Sequence, residues 1–431
     1  MKNFIFCLFI VSAAVSNAQP KAQTNFTENE VRERLEILSS DEMGGRQAYS
    51  PYLKIAAGFI ADDFARHRLQ PLPNSGTYLQ TFHMVKATPE AASKIKIADN
   101  VIPAENLVCQ TGEKELSINP SSGYEIIRLK EGENAMASFR NIRSKKGNIL
   151  VFMHTSHEPF FNRIKQNAGA RMKGESNIIF VLTPDTDSET YELQLKLKVE
   201  QIELSNVVGL LPGKSKPDEY VIFSAHYDHI GIGKPNEKGD SIYNGANDDA
   251  SGTTAVMMLA KHFAMTGGNE RTLIFAAFTA EEVGGFGSQY FSKQFDPAKV
   301  MAMFNIEMIG TDSKWGLNSA YITGYEKSNM GEILKKNLEG SQFQFHPDPY
   351  PQQNLFYRSD NATLARLGVP AHTISTSKMD IEPHYHKPSD EISTLDITNM
   401  TEIIKAIAIS SQSIISGKDT PGRVDSSQLS R

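Results

Sequence analysis

Residues 220–229 read YVIFSAHYDH, an apolar run that ends in a cluster of ionisable side chains. The run predicts a strand buried within a sheet. Residues 273–278 form a second run of this kind, and between the two lies a segment, 251–265, whose apolar residues recur at helical spacing. Two more strand candidates and a closing helix follow at 301–308, 369–374 and 397–415. This alternation predicts an α/β fold with a mixed, largely parallel sheet sandwiched by helices.

The first 18 residues differ from the rest of the chain. Lys2 is followed by an apolar run over residues 4–15 and by small residues at 16–18. This pattern is typical of a cleavable secretory signal peptide, because the run is shorter than the roughly 20 apolar residues of a membrane-spanning helix. We therefore expect export, cleavage near Ala18, and a secreted or periplasmic protein without a membrane partner once the signal is removed.

The remaining chain is long enough for more than one structural unit, since the full sequence has 431 residues. Short β-rich runs alternate with charged loops from residue 98 to residue 205. We interpret 98–205 as an inserted, smaller β-rich accessory domain. Residues 19–97 are then the N-terminal part of the main domain, and 206–431 are the rest of that domain.

Composition narrows the classes of function. A net charge of −6 argues against a nucleic-acid partner or an anionic membrane surface, because both favour a basic face. Of the two cysteines, Cys7 lies in the predicted signal peptide and Cys109 has no neighbouring motif. We interpret Cys109 as a small structural residue and expect the chemistry to come from His, Asp and Glu side chains.

Five polar clusters lie at or near the predicted strand ends, where open α/β sheets bind their ligands. They occupy residues 225–229, 244–252, 278–288, 305–308 and 384–390. Each cluster alone has a structural explanation, such as a helix cap, a turn or a solvated acidic pair. Their common position in the predicted fold favours one shared site.

The first two clusters suit a metal centre. His226 is a candidate ligand, and Asp228 is a carboxylate at the right spacing to orient it, because a metal-bound imidazole usually donates its second N–H to such a group. In the second cluster, a loop with glycines precedes a helix and carries Asp248 and Asp249. Either is a candidate for a carboxylate that bridges two ions.

The third and fourth clusters add three glutamates. Adjacent side chains on an extended backbone point apart, so one of Glu281 and Glu282 can bind a metal while the other serves as a base. Glu307 follows an apolar stretch and is predicted to lie in a strand. A buried, unpaired carboxylate is costly, so Glu307 should meet a metal ion or a cationic side chain.

The last cluster supplies two imidazoles, His384 and His386, followed by Asp390. One of them is a candidate ligand with a supporting carboxylate. Together the clusters offer nitrogen and oxygen ligands and no thiolate. That donor set suits zinc, with manganese or cobalt as alternatives.

In their order along the chain, the five clusters resemble the M28 family of di-zinc peptidases over residues 206–415, with weaker similarity at 38–46 and 76–80. The resemblance implies a zinc-exopeptidase-like fold, a catalytic domain at 206–431 and two Zn²⁺ per chain. It also implies site residues: His226 and Glu307 on one ion, Glu282 and His386 on the other, Asp248 on both, Glu281 as general base, and Asp228 as the group that orients His226.

Three details qualify the resemblance. Many family members have Asp where Glu307 stands, which changes the reach of the carboxylate and not its chemistry. Many also have Asp where Asn247 precedes the bridging residue, a position that is not a ligand. His386 matches the family better than His384, because Pro388 and Asp390 follow it at the family spacing.

The activity implied by the resemblance is that of a metallo-aminopeptidase, a zinc-dependent exopeptidase that hydrolyses N-terminal residues from peptides. A water shared by the two ions would attack the peptide, with Glu281 as the base. Three alternatives stay open: a glutaminyl cyclase-like transferase with one zinc, a carboxypeptidase in which Arg358 meets the substrate carboxylate, and a non-enzymatic protein without metals. The complete ligand set disfavours the first and the last.

Overall fold

The structure is a computed structural model that describes residues 24–73, 75–145, 147–166, 170–172 and 176–429. The predicted signal peptide and its cleavage position near Ala18 lie outside the described residues. None of the helices in the described ranges combines the length and the apolar character that crossing a membrane requires.

The described residues form strands and helices that are numbered here in chain order. The strands are β1 (Leu79–Pro89), β2 (Lys94–Ile97), β3 (Asn100–Ile102), β4 (Leu107–Gln110), β5 (Glu115–Ile118), β6 (Glu125–Leu129), β7 (Ile149–His154), β8 (Arg171–Met172), β9 (Ile178–Thr183), β10 (Tyr191–Leu211), β11 (Lys216–His226), β12 (Gly231–Ile232), β13 (Ile242–Tyr243), β14 (Arg271–Phe278), β15 (Val300–Ile306), β16 (Ser319–Ile322), β17 (Gln344–Pro347) and β18 (Ala371–Ser375). The helices are α1 (Glu28–Leu38), α2 (Pro51–Arg66), α3 (Ala135–Ser144), α4 (Glu158–Gln166), α5 (Gly252–Thr266), α6 (Phe286–Ser292), α7 (Met330–Asn337), α8 (Asn361–Ala365), α9 (Ile397–Ser410) and α10 (Gln412–Ile415).

The central sheet has the strand order β17-β16-β18-β15-β11-β14-β10-β1-β8. Strand β11 is parallel to both β14 and β15, and β15 is parallel to β18. Strands β10 and β1 extend the sheet in antiparallel fashion on one side, and β16 is antiparallel to β18 on the other. The sheet is thus mixed and parallel at its centre. Together with its flanking helices it confirms the predicted fold class.

Helices cover both faces of this sheet. Successive side chains of a strand point to opposite faces, so neighbouring residues of one strand pack against different helices. On one face, Phe223 of β11 stacks with Phe275, with Phe304 and with Phe263 of α5. The preceding residue, Ile222, packs into a cluster on the other face with residues of α6 and α8. Residues 221–226 are all buried, as predicted for a strand covered on both sides.

Two predicted elements differ from those observed. Strand β15 ends at Ile306, so Glu307 lies just beyond the strand and not inside it. The backbone turns at the next residue, Met308, whose φ is 53°. The predicted closing helix 397–415 is divided at Ser411 into α9 and α10. The first difference matters for function, because it places Glu307 in the loop region where the other polar clusters lie.

A second sheet, with the order β4-β9-β7-β6, is built from the β-rich part of the chain. Each of its faces carries its own apolar cluster. Cys109 of β4 is buried in one of them, and burial raises the pKa of its thiol to about 12. This environment agrees with the structural role predicted for Cys109.

One long strand connects the central sheet with strands of the β-rich part of the chain. Strand β10 has 21 residues. Its first part pairs with β2 and β5, and its later part pairs with β1 and β14. Its ladder with β1 runs from Leu79 opposite Val207 to Pro89 opposite Leu197. The predicted domain end at residue 205 falls within β10, so the division of the chain into domains stays a prediction.

Candidate metal centre

The predicted site residues lie together at the carboxyl ends of the central parallel strands. His226 is the last residue of β11, and Glu281, Glu282 and Glu307 lie in the loops that follow β14 and β15. Asp248 lies in the helical segment Ala246–Ser251 that leads into α5. Because parallel strands end at the same edge, residues far apart in sequence meet there, as expected for an open α/β sheet.

Asp248 occupies the middle of this group. Its Oδ1 lies 3.2 Å from His226 Nε2, and its Oδ2 lies 3.4 Å from His386 Nε2. His386 Nε2 is also 3.3 Å from Glu282 Oε2. A carboxylate with one imidazole beside each oxygen is in a position to bridge two cations.

Two groups of side chains offer ligand atoms within 4.8 Å of one another. One consists of His226, Asp248 and Glu307, and the other of His229, Asp248 and Glu282. Several of these buried atoms form no hydrogen bond of regular geometry in the described part of the chain, although an imidazole and a carboxylate can lie close together: His226 Nε2, His229 Nε2, Glu282 Oε1 and Glu307 Oε2. Buried polar atoms are costly when unpaired, and a divalent cation would satisfy them. The nitrogen and oxygen donors fit zinc.

His226 is oriented by the main chain of Asp228. His226 Nδ1 lies 3.0 Å from the carbonyl oxygen of Asp228, whereas the Asp228 carboxylate is 3.9 Å away. That carboxylate instead accepts hydrogen bonds from the backbone N–H groups of Glu281 and Glu282, at 3.0 and 3.3 Å. The sequence predicted a direct carboxylate contact to the imidazole. In the structure, the Asp228 carboxylate binds the backbone of Glu281 and Glu282, and the Asp228 carbonyl oxygen contacts His226.

Asp249 and Asp390 fix the backbone around Asp248. Asp249 accepts hydrogen bonds from the N–H groups of Gly252 and Met308, both at 3.0 Å. Asp390 accepts from those of Asn247 and Asp248, at 2.8 and 3.0 Å. Of the two candidates for the bridging position, Asp248 therefore faces the imidazoles and Asp249 faces the backbone. Asp390 supports the Asp248 loop and not a histidine.

The two adjacent glutamates have different surroundings. Burial, opposed in part by His226, raises the pKa of Glu281 well above its usual range, and nearby carboxylates raise it further. Burial would also raise the pKa of Glu282, but the imidazoles of His229 and His386 outweigh it and lower the pKa to about 2. The imidazole contacts make Glu282 the more ligand-like of the two. The charged neighbours of Glu281 are His226 and the carboxylates of Asp360, Glu307 and Glu282.

His229 is a site residue that the sequence analysis did not assign. Its ring is fully buried, and Nδ1 lies 2.7 Å from Glu282 Oε1 and 3.9 Å from Asp248 Oδ2. The signal was present, since His229 directly follows the His-x-Asp pattern. His384, in contrast, contacts Ser389 Oγ at 3.0 Å, away from the central group.

A small open cleft lies beside Glu307. Its walls include apolar and aromatic side chains: Met308, Tyr321, Leu355, Met379 and Tyr385. Arg358 also lines the cleft, with Nη2 3.4 Å from the Tyr385 hydroxyl. The Tyr385 ring stacks on His386, with 3.9 Å between ring centroids. The cleft has the position and the chemistry to receive a side chain of a bound substrate.

The comparison with known sequences identifies this region. Residues 206–410 match the model of Peptidase family M28. Leucine aminopeptidase 1 of Trichophyton rubrum is 27% identical over 216 residues, which cover 47% of this chain and 56% of that protein. A probable zinc metalloprotease of Pyricularia oryzae is 36% identical over 114 residues, 26% of this chain and 22% of that protein. The chain thus spans about half, or less, of the length of these curated relatives.

Solved structures share the fold over a larger part of the chain. The aminopeptidase from Aneurinibacillus sp. strain AM-1 aligns with a TM-score of 0.53 and 16% identity, covering 94% of this chain and 97% of that one. A zinc aminopeptidase from Bacillus subtilis aligns with a TM-score of 0.55 and 17% identity, covering 91% and 96%. The predicted resemblance to peptidase family M28 is confirmed over residues 206–410.

Proposed function

We propose that this protein is a zinc-dependent aminopeptidase that hydrolyses N-terminal residues from peptides. The observation that carries the proposal is the pair of His, Asp and Glu groups that share Asp248. The match to peptidase family M28 supports it, because the matched region contains all of these residues. Peptides are accordingly the proposed partners.

We assign His226 and Glu307 to one Zn²⁺, Glu282 and His386 to a second, and Asp248 to both. His386 is preferred to His229 because its Nε2 is near both Asp248 and Glu282 and its side chain is 39% exposed, whereas the His229 ring is fully buried. When bound, two zinc ions lower the pKa of a water molecule and polarise the scissile carbonyl. The side chains proposed as ligands must be deprotonated to bind, which links metal loading to pH.

The chain's own groups would move the proton. Glu281 would accept a proton from the attacking water and donate it to the nitrogen of the leaving amine. Its backbone N–H is held by Asp228, so its position relative to Glu282 is fixed. The acidic groups around the site would also attract the free ammonium of a substrate, which favours cleavage at the N-terminus.

Asp228→Asn should lower kcat about 10- to 100-fold, the usual effect of altering an outer partner of a metal site. An amide offers one acceptor oxygen where Asp228 now uses two, so the backbone of Glu281 and Glu282 loses part of its support. We expect KM to change little, because Asp228 does not line the cleft. Steady-state kinetics on a chromogenic amino-acid amide would measure both constants.

Asp218→Asn is the matched control for this variant. It makes the same chemical change at an exposed residue near the opposite end of β11, where an ion pair with Lys299 spans 3.9 Å. Its kinetics should equal those of the wild type. A raised KM with unchanged kcat in Asp228→Asn would contradict the positioning role.

The proposed substrate class predicts that a peptide with a free N-terminus is cleaved and that its N-acetylated form is spared. The acetyl group removes the ammonium that the surrounding carboxylates would hold. Mass spectrometry of the products of both peptides would show which bond is cut. Equal cleavage of the two forms would contradict the aminopeptidase assignment.

The same assay separates the alternatives. Arg358, a cationic group on the cleft, is the observation that favours a carboxypeptidase. A carboxypeptidase would cleave the acetylated peptide from its C-terminus and spare a C-terminal amide, the reverse of the expected pattern. A glutaminyl cyclase-like enzyme would convert an N-terminal Gln to pyroglutamate without releasing an amino acid.

Two further proposals concern organisation. We propose that residues 98–205 form an accessory domain inserted into a main domain of 19–97 and 206–431, supported by the separate apolar clusters of the small sheet. We also propose export by the predicted signal peptide. N-terminal sequencing of the protein recovered from a producing cell would test the cleavage position near Ala18.

A further inference from the structure

Arg46 is a fully buried cation outside the part of the chain that matches the family model. It follows Gly44 and Gly45, and all three residues have positive φ values, of 51°, 64° and 47°. A side chain on Gly45 would meet the carbonyl oxygen of Tyr243 at 2.5 Å. This tight turn places the arginine side chain against the backbone that carries the candidate metal centre.

The guanidinium of Arg46 connects three separate segments. Nε donates to the carbonyl oxygen of Tyr227 at 2.8 Å, and Nη1 donates to that of Leu38 at 2.5 Å. Nη1 and Nη2 donate to the carbonyl oxygens of Asn244 and Gly245, at 2.6 and 3.0 Å. In the described structure these four hydrogen bonds all go to main-chain oxygens.

The bonded carbonyls belong to the segments that carry two proposed ligands. Tyr227 directly follows His226, and Asn244 and Gly245 directly precede the segment that contains Asp248. His226 Nε2 and Asp248 Oδ1 are only 3.2 Å apart. The guanidinium of Arg46 therefore holds the backbone on both sides of the contact between His226 and Asp248.

We propose that Arg46 is a positioning residue that sets the spacing of His226 and Asp248 and thereby the metal affinity of the site that they form with Glu307. The inference rests on the proposed metal assignment, not on the peptidase activity. It extends the functional unit beyond residues 206–410 to the N-terminal segment.

The chemistry of arginine suits this role. A planar guanidinium presents five N–H donors in a fixed arrangement, whereas an ammonium offers three donors at one point. Burial disfavours the charge of Arg46, and the nearby carboxylates of Asp390, Asp228, Asp248 and Asp249 oppose this effect. The cation attracts these carboxylates, and its hydrogen bonds hold the backbone next to His226 and close to Asp248.

Arg271 provides a matched control, because it is buried in a comparable way at the other end of the sheet. It begins β14, and Nη1 donates to the carbonyl oxygens of Ile414 and Asp419, at 2.6 and 2.8 Å. The proposed ligands follow the far end of that strand. Loss of either arginine removes buried hydrogen bonds and destabilises the fold, but only Arg46 contacts the ligand segments.

The test compares Arg46→Lys, Arg46→Met and Arg271→Met with the wild type. Zinc affinity would be measured by competition with a chromophoric chelator, and bound zinc would be counted by elemental analysis. Arg46→Met should weaken the affinity of one of the two sites about 10- to 100-fold, the usual effect of altering an outer partner. Arg46→Lys should weaken it less, and Arg271→Met should keep wild-type affinity at both sites.

Kinetics and folding complete the test. In the zinc-loaded protein, Arg46→Lys should lower kcat with little change in KM. If Arg46→Met does not yield folded protein, Arg46→Lys decides. Wild-type zinc affinity in Arg46→Lys, or an equal loss of affinity in Arg271→Met, would overturn the inference. The wild type could bind two zinc ions and cleave no peptide. That result would refute the proposed activity but not the role of Arg46, because the zinc affinities of the variants would still test that role.

Discussion

Glu281→Gln should retain two zinc ions per chain and lose turnover by about 10²- to 10⁴-fold, the range over which general acid and base catalysis contributes. The amide is almost isosteric with the acid but cannot accept the proton of the attacking water. Glu281 lies near His226 and several carboxylates but is not itself a proposed ligand, so the substitution should leave the ligand set complete. Elemental analysis for zinc and steady-state kinetics on an amino-acid amide would measure both effects.

Glu282→Gln is the matched control, since it makes the same change at the next residue. Glu282 contacts His229 and His386, and the loss of its charge should remove an anionic ligand. Zinc content should fall, and excess zinc should restore part of the activity. Loss of metal in Glu281→Gln with retention in Glu282→Gln would reverse the two roles. If neither variant changed zinc content or rate, the di-metal centre would be wrong.

Asp248→Asn should weaken both zinc sites, because Asp248 belongs to both groups of candidate ligands. The neutral amide is a poorer ligand than a carboxylate, and it places a donor beside one of the two imidazoles. The affinity loss at each site should exceed the roughly 10- to 100-fold that follows from altering an outer partner. Chelator competition would give the two dissociation constants, and activity should be lost at ordinary zinc concentrations.

Glu307→Gln distinguishes a shared ligand from a general disturbance. Glu307 belongs to one group, with His226 and Asp248, so its loss should affect one ion and leave the other bound. Near-ultraviolet circular dichroism would establish that both variants keep the native packing. One intact site in Asp248→Asn would contradict a bridging role for Asp248.

The central strands and the site residues were predictable because local patterns mark both. Buried strands produce apolar runs, and the proposed ligands His226 and Glu282 lie at or shortly after the ends of such runs. The order of the clusters then carries the resemblance to peptidase family M28. Glu307 shows the limit of this reasoning. The apolar run of β15 does not mark the residue at which the strand ends, so the sequence pattern placed Glu307 inside the strand.

The supporting contacts were not predictable from the sequence. Asp390 holds the backbone of Asn247 and Asp248, and Arg46 holds that of Asn244 and Gly245, although these residues are far apart along the chain. Hydrogen bonds to main-chain atoms depend on how the loops fold together and impose no residue type on the partner. For the same reason, the local pattern alone could not separate Asp248 from Asp249, and only the family resemblance favoured Asp248.

Strand β10 limits how the β-rich segment can be gained or lost during evolution. An insertion joined to its host by two flexible linkers can be exchanged without altering the host. Here the segment and the central sheet share a continuous strand, and the ladder with β1 reaches Pro89 opposite Leu197. A cut at residues 98 and 205 would divide that ladder and leave residues 81–89 of β1 without their partners in β10. A shorter version of this chain would instead need to close the two-stranded arm with a hairpin turn near its tip.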